Sequence, residues 1–329
     1  MTGKALNVTD PLNEAAMILR QGGLVAFPTE TVYGLGADAF NPLAVARIFE
    51  VKGRPRFDPL IVHVARLKDL DDLVHHLPLF GRLLASAFWP GPITMVVPKK
   101  DGVPDIVTAG LPTVAVRMPA HPVALQLIQL AQRPIAAPSA NLFGHVSPTT
   151  AGHVHTQLED KVDFILDGGP CRVGVESTII SLAHGNPPEI LRPGGVSVEE
   201  IEEVVGSVRI PDLRGGPVQA PGMLSRHYSP STPLKILKNH RDVSRGEGGR
   251  IGLLAFQSPP DKSRYQAVEV LSEKGDLQEA AANLFAALHR LDAARLDLIL
   301  AEPVPKIGLG LAIMDRIERA STPWGEKGG

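Results

Sequence analysis

Two short segments carry groups suited to gripping phosphate: Lys52-Gly53-Arg54 supplies two fixed cations, and Ser139-Ala140-Asn141 supplies a hydroxyl and a carboxamide. Lysine is a compact point charge and arginine a rigid fork of donors, so together they can neutralise a polyphosphate and hold it directionally. Alone, Lys-Gly-Arg is better explained by a solvated turn after a helix. Its surroundings favour the phosphate reading: from Arg47 to Lys68 stand Arg47, Lys52, Arg54, Arg56, Arg66 and Lys68 against Glu50 and Asp58, a surplus of four positive charges. The whole chain has a formal net charge of -2, so no global field draws polyanions to it and a polyanion site must be local.

The elements that must position these groups alternate. Asp10-Pro11 reads as a cap and first turn, Leu12, Ala15, Ala16 and Leu19 as the apolar face, and Gly22-Gly23 as the stop of a first helix. A strand is expected at Leu24 to Phe27, a polar strand-like segment at Thr29 to Tyr33, and a helix from Asn41-Pro42 to about Val51 that ends at Lys52-Gly53-Arg54. Pro59 to Val64, Ile93 to Val97, Val114 to Val116 and Ile135 to Ala137 read as buried strands. This is an α/β pattern.

Length and composition frame it. The 329 residues suggest two domains, and 44% hydrophobic with 21% charged residues is ordinary for a globular protein. Prolines and glycines crowd 211 to 233, a linker between a domain at 1–210 and a smaller one at 234–329. In the latter, Leu234 to Leu237, Ile251 to Phe256, Ala267 to Leu271 and Leu298 to Ala301 read as strands, with a long helix near Leu277 to Leu296. Cys171 is the only cysteine, which excludes an internal disulfide or a cysteine-built zinc site. That fits a reducing compartment, and with no basic-then-apolar leader in Met1 to Gly23 and no membrane-length apolar run, a soluble cytoplasmic protein is expected. The eleven histidines are scattered, and His145, His153 and His155 lack a helical metal-ligand spacing.

Several nucleotide and hydrolase signatures fail. Gly34-x-Gly36-x-x-Ala39 imitates a dinucleotide turn but does not follow directly on the first strand. No P-loop is present, and no Gly-x-Ser-x-Gly elbow surrounds Ser139 or Ser177.

The segments Phe27 to Leu35, Lys52-Gly53-Arg54, Pro59 to His63, Pro138 to Asn141, Ser147 to Thr150 and Glu176-Ser177-Thr178 together resemble the YrdC-like threonylcarbamoyl-AMP synthases. Pro221-Gly222-Met223, Arg226-His227-Tyr228 and Gly308 to Arg319 resemble that family's longer, two-domain form. The resemblance implies a YrdC-like twisted sheet around a concave basic cavity, plus a small Rossmann-like C-terminal domain. It also implies that L-threonine, bicarbonate and ATP, with Mg2+, yield threonylcarbamoyl-AMP and pyrophosphate, for delivery to tRNA by other proteins. By the same resemblance Lys52 and Arg54 are catalytic clamps, and Thr31, His63, Arg117, Ala137 and Ser177 line the threonine site. Arg54, Asp58, Thr113, Ser139, Asn141, Ser147, Arg192 and Tyr228 surround ATP, Tyr228 reaching in from a linker that acts as a lid.

Taken singly, the same residues allow plainer roles: Thr31 and Ser177 as strand residues, His63 as a core histidine, Arg117 in a structural ion pair, Arg192 as a loop charge, Tyr228 as a packing anchor. Asp58 stands where the family commonly has asparagine, and Leu224-Ser225 where a basic and an aromatic residue are frequent. The rival class is an RNA-binding module, for double-stranded RNA or tRNA, tracking a phosphate backbone with the basic surplus; only 5% aromatic residues argues against it. A hydrogenase-maturation carbamoyltransferase would need cysteine-rich fingers.

Overall fold

The computed structural model describes residues 10–183, 187–211, 220–223, 227–237, 249–259 and 261–322. Among them the chain builds two sheets. The first contains β1 (Val25–Phe27), β2 (Gly34–Asp38), β3 (Ile61–His63), β4 (Ile93–Pro98), β5 (Thr113–Arg117), β6 (Ile135–Ala136), β7 (Phe164–Ile165), β8 (Thr178–Ser181) and β9 (Glu189–Arg192). Their order is β7-β1-β2-β6-β3-β5-β4-β8-β9, with parallel and antiparallel pairs mixed. The second, β10 (Leu234–Ile236), β11 (Ile251–Ala255), β12 (Ala267–Val270) and β13 (Leu298–Ala301), is parallel throughout, in the order β10-β13-β11-β12.

Helices α1 (Pro11–Arg20), α2 (Pro42–Lys52), α3 (Leu79–Phe88), α4 (Asp105–Thr108), α5 (Pro122–Ala131), α6 (Ala151–Leu158) and α7 (Val198–Val205) accompany the first sheet. Asp10 caps α1 by accepting from the Leu12 amide at 3.2 Å, and Leu12, Ala15, Ala16 and Leu19 bury against α5. Removing a leucine such as Leu19 wholly from water is worth about 1.5–3 kcal/mol. Asn41 caps α2 through the amides of Leu43 and Ala44. Gly53 ends it at φ 62°, a left-handed turn that glycine adopts without a Cβ penalty. The turn lets the Arg54 amide bond back to Phe49 O at 2.9 Å.

One expected element is different. Thr29 to Tyr33 is a bend, not a strand, because the Thr29 hydroxyl donates to Val32 O at 2.6 Å and accepts from the amides of Thr31 and Val32. Such side-chain bonds offer the backbone an alternative to the ladder.

On the second sheet pack α8 (Leu277–Ala293) and α9 (Leu309–Ala320). Their apolar cluster does not stop at the sheet: Val32, Val146, Val175 and Tyr228 belong to it. Of the expected linker, 212–219 and Leu224 to Arg226 lie outside the described residues.

Candidate active site

A cavity with about 510 Å³ of empty space, part of it open to solvent, opens beside the centre of the larger sheet. The bend at Thr29 to Val32 forms one wall and the ends of β3 and β5 another; the register pairs His63 with Arg117. Residues two apart in a strand share a face, so Ile61 and His63 turn the same way, as do Ala115 and Arg117. Linker residues Ala220 and Met223 pack onto Ile61 and Ala115, and Pro221, Gly222, His227 and Tyr228 border the same space.

Thr31, His63, Arg117, Ala137 and Ser177 all line this cavity, as do Arg54, Ser139, Arg192 and Tyr228. Lys52, Asp58, Thr113, Asn141 and Ser147 do not.

At the Thr31 end, Arg117 donates from Nη1 to Thr31 Oγ1 (2.9 Å), from Nη2 to Glu30 Oε1 (2.6 Å) and from Nε to Gly91 O (3.3 Å). A guanidinium carries five N–H groups, so donors remain for a ligand. Glu30 Oε2 has no hydrogen-bond partner. Burial, helped by the Arg117 charge, holds the neighbouring His63 imidazole down at a pKa of about 3, so it is neutral. The Ser177 hydroxyl is 2.8 Å from that of Thr94.

Around Arg54, Nη2 lies 2.9 Å from Asp58 Oδ1, yet neither carboxylate oxygen of Asp58 receives an aligned hydrogen bond. The guanidinium N–H groups point instead at Asp58 O (3.2 Å) and Pro59 O (2.9 Å). The contact is charge pairing across bent geometry. Burial pushes the Asp58 carboxyl up, against the pull of Arg54, Lys52 and Arg192. Arg192 donates to Ser177 O at 2.9 Å and to Pro221 O at 3.2 Å, tying the linker to the sheet. At Gly222, φ is 80° and a Cβ would stand 2.7 Å from Tyr228 Oη and 2.9 Å from Arg192 Nη1, so only glycine lets the linker approach this closely.

Lys52 is held differently from Arg54. It is 2% exposed and its ammonium donates to Ser139 O at 2.5 Å and to Asn141 O. Burial and the Arg54 charge push its pKa well below the usual range. It anchors the Ser139–Asn141 loop and does not face the cavity as a free clamp. Asn141 likewise bonds Leu142 O and His145 O, shaping that loop. The Ser147 hydroxyl donates to Glu176 Oε1 at 2.6 Å. Thr113 is half-buried at the start of β5, opposite Pro98 and two positions before Ala115.

Glu30, Glu176 and His227 escaped the sequence assignment although each adjoins an assigned residue. Glu176 and His227 line the cavity, and His227 is kept neutral by burial and by the charges of Arg54, Lys52, Arg192 and Arg316. The signal for Glu30 was a carboxylate inside the otherwise uncharged run Phe27 to Tyr33. Of the basic surplus, Lys52 and Arg54 are buried, Arg47 pairs with Asp163 and Arg66 with Asp69, and Arg56 and Lys68 are exposed. Among the described residues no helix is long and apolar enough to cross a membrane.

Residues 17–194 match the Sua5/YciO/YrdC family profile, described as "Telomere recombination", and residues 196–322 match "Threonylcarbamoyl-AMP synthase, C-terminal domain". A threonylcarbamoyl-AMP synthase of Pyrococcus abyssi is 48% identical, with 96% of this chain and 97% of that protein covered. One of Bacillus subtilis is 44% identical, with 96% and 94% covered. The crystal structure of Pyrococcus abyssi Sua5 complexed with L-threonine superposes with a TM-score of 0.88 at 47% identity, covering 94% of each chain. By both halves of its sequence and by its fold, the chain belongs to the Sua5/YrdC family of threonylcarbamoyl-AMP synthases.

Proposed function

We propose that this cavity condenses L-threonine, bicarbonate and ATP into threonylcarbamoyl-AMP and pyrophosphate. The observation that carries the reading is one cavity lined by three buried guanidiniums, Arg117 bonded to Thr31 and paired in register with His63, together with Arg54 and Arg192. Residues 1–210 act as the catalytic domain, 211–233 as a lid, and 234–329 as a small α/β domain that supports the lid.

Threonine's carboxylate takes the N–H groups that Arg117 has left over, with Thr31, Ala137 and Ser177 around it. The neutral His63 accommodates the amino acid without competing for its carboxylate. Bicarbonate loses hydroxide to give carbon dioxide, and the amine nitrogen attacks its carbon; the N–C bond forms as one C=O π bond opens onto oxygen, and a proton leaves nitrogen for the hydroxide, giving the carbamate and water. A carbamate oxygen then attacks the α-phosphorus, and the bond to the bridging oxygen breaks as pyrophosphate departs. Negative charge gathers around that centre, where prearranged cations in a poorly solvated site count most. Arg54 and Arg192 supply them; Ser139 and Tyr228, which line the cavity, orient the nucleotide, and Asp58, Thr113 and Ser147, outside that lining, meet the parts of ATP that extend past it. Lys52 and Asn141 serve by holding the Ser139 loop in place. Closure of the lid keeps water from the short-lived carbamate.

Magnesium enters with the nucleotide as part of the substrate; among the described residues no group of three or more His, Cys, Asp or Glu could hold an ion. The product passes, in the cytoplasm, to proteins that transfer the group to tRNA. Mass spectrometry of the product made with carbon-13 bicarbonate tests the reaction. A threonylcarbamoyl adenylate carrying one label is expected, and plain AMP with unlabelled threonine would contradict it.

A further inference from the structure

Helix α9 packs on the second sheet, but one of its side chains works elsewhere. Arg316 shares a face with Ile313, Ile317 and Ala320, at i, i+3, i+4 and i+7, and is 0% exposed. An apolar residue would continue that stripe, and a buried cation is costly unless paired. Its Nε donates to Glu176 Oε2 at 2.8 Å and its Nη1 to Pro193 O at 3.0 Å, both outside the C-terminal part. The guanidinium carbon sits 4.9 Å from the centre of the Tyr228 ring, and Nη2 has no hydrogen-bond partner.

The other oxygen of Glu176 receives the Ser147 hydroxyl at 2.6 Å. Asp315 pairs with Arg316 at 2.6 Å and with Arg319 at 2.9 Å, and Arg319 donates to Met223 O of the linker at 3.1 Å. One guanidinium thus links Glu176, and through it Ser147, to the ring of Tyr228, while its neighbours on α9 hold the linker.

We infer that Arg316 is a positioning residue: from the C-terminal part it fixes Tyr228 and the Glu176–Ser147 pair, so that the nucleotide is gripped only when α9 is docked. The inference rests on the proposed placement of ATP against Ser147 and Tyr228. It gives the C-terminal part a defined task in the reaction.

The test uses full-length wild type, R316M, R316Q and R316K, with pyrophosphate release measured against varied ATP and, separately, varied threonine. ATP-induced stabilisation of the thermal midpoint is measured alongside, since a ligand at fixed concentration raises it further the more tightly it binds the folded state. Loss of a coupled buried group predicts a KM for ATP raised about tenfold in R316M, a KM for threonine within about twofold of wild type, and a diminished ATP-induced shift. R316K, which keeps the cation for Glu176, recovers part of each. The first of R316M, R316Q and R316K that melts cooperatively decides. An ATP KM and ATP-induced shift like those of wild type in that variant would overturn the inference, as would an equal rise in both KM values. If wild type released no pyrophosphate, the proposed reaction would fail, and the ATP-induced shift would still judge Arg316.

Discussion

Arg117 Nη2 donates to Glu30 Oε1 at 2.6 Å, and both side chains are almost wholly out of water. Glu30 therefore aims the Arg117 guanidinium at the amino-acid end of the cavity and offsets its burial. Breaking such a pair leaves an uncompensated charge, so Glu30→Ala should lose about 3–5 kcal/mol of stability. Threonine KM should rise more than ATP KM. Urea denaturation and the two KM values check this; equal effects on both substrates would contradict the aiming role.

Lys52 and Arg54 are neighbours in sequence with different tasks. Lys52→Ala strips the Ser139 and Asn141 carbonyls of their donor, and each buried unpaired group costs about 1–3 kcal/mol. Stability and activity should therefore fall together. Arg54→Ala should cost about 10²–10³-fold in kcat, the scale for removing one transition-state donor. Thermal melts beside kcat separate the two cases.

The α2 turn illustrates what was legible in the chain. Asn41-Pro42 and Gly53 announce a cap, a first turn and a left-handed stop, and the helix falls where they put it. The strands at Ile93 and Thr113 are equally plain, being runs of β-branched and apolar residues. The direction of Lys52 was not legible, because its partners are carbonyls of a loop 87 and 89 residues away, and a carbonyl has no sequence identity. Nor was the bend at Thr29, where one hydroxyl outcompetes the ladder. Resemblance to a family brought Thr31, His63, Arg117 and Ser177 to one cavity on paper; Glu30, Glu176 and Arg316 emerge only from distances.

Acid should weaken the fold through His63. Its folded pKa of about 3 lies below the ordinary 6.5, so below pH 6.5 the unfolded chain binds a proton that the folded one refuses. The stability attached to the neutral ring is complete above pH 6.5 and falls by about 1.4 kcal/mol per unit as pH drops towards 3. His63→Gln removes that dependence. Denaturation at pH 7, 5 and 4 should show a shallower acid slope in the variant; parallel slopes would contradict it.

The lid has two handles. Gly222→Ala puts a methyl 2.7 Å from Tyr228 Oη at a φ of 80°, so closure is impaired while the sheets stay intact, and kcat should drop at least about tenfold with little change in melting temperature. Deleting residues 211–329 should abolish or severely impair adenylate formation. Full activity in a folded 1–210 fragment would remove the lid from the account.

The central claim is that one cavity joins all three substrates before pyrophosphate can leave. Pyrophosphate release, measured with threonine, bicarbonate and ATP each omitted in turn, tests it most directly. Release is predicted only when all three are present, and to fall by orders of magnitude in Arg54→Ala; release from ATP alone at the full rate, or an unaltered rate in that variant, would contradict it.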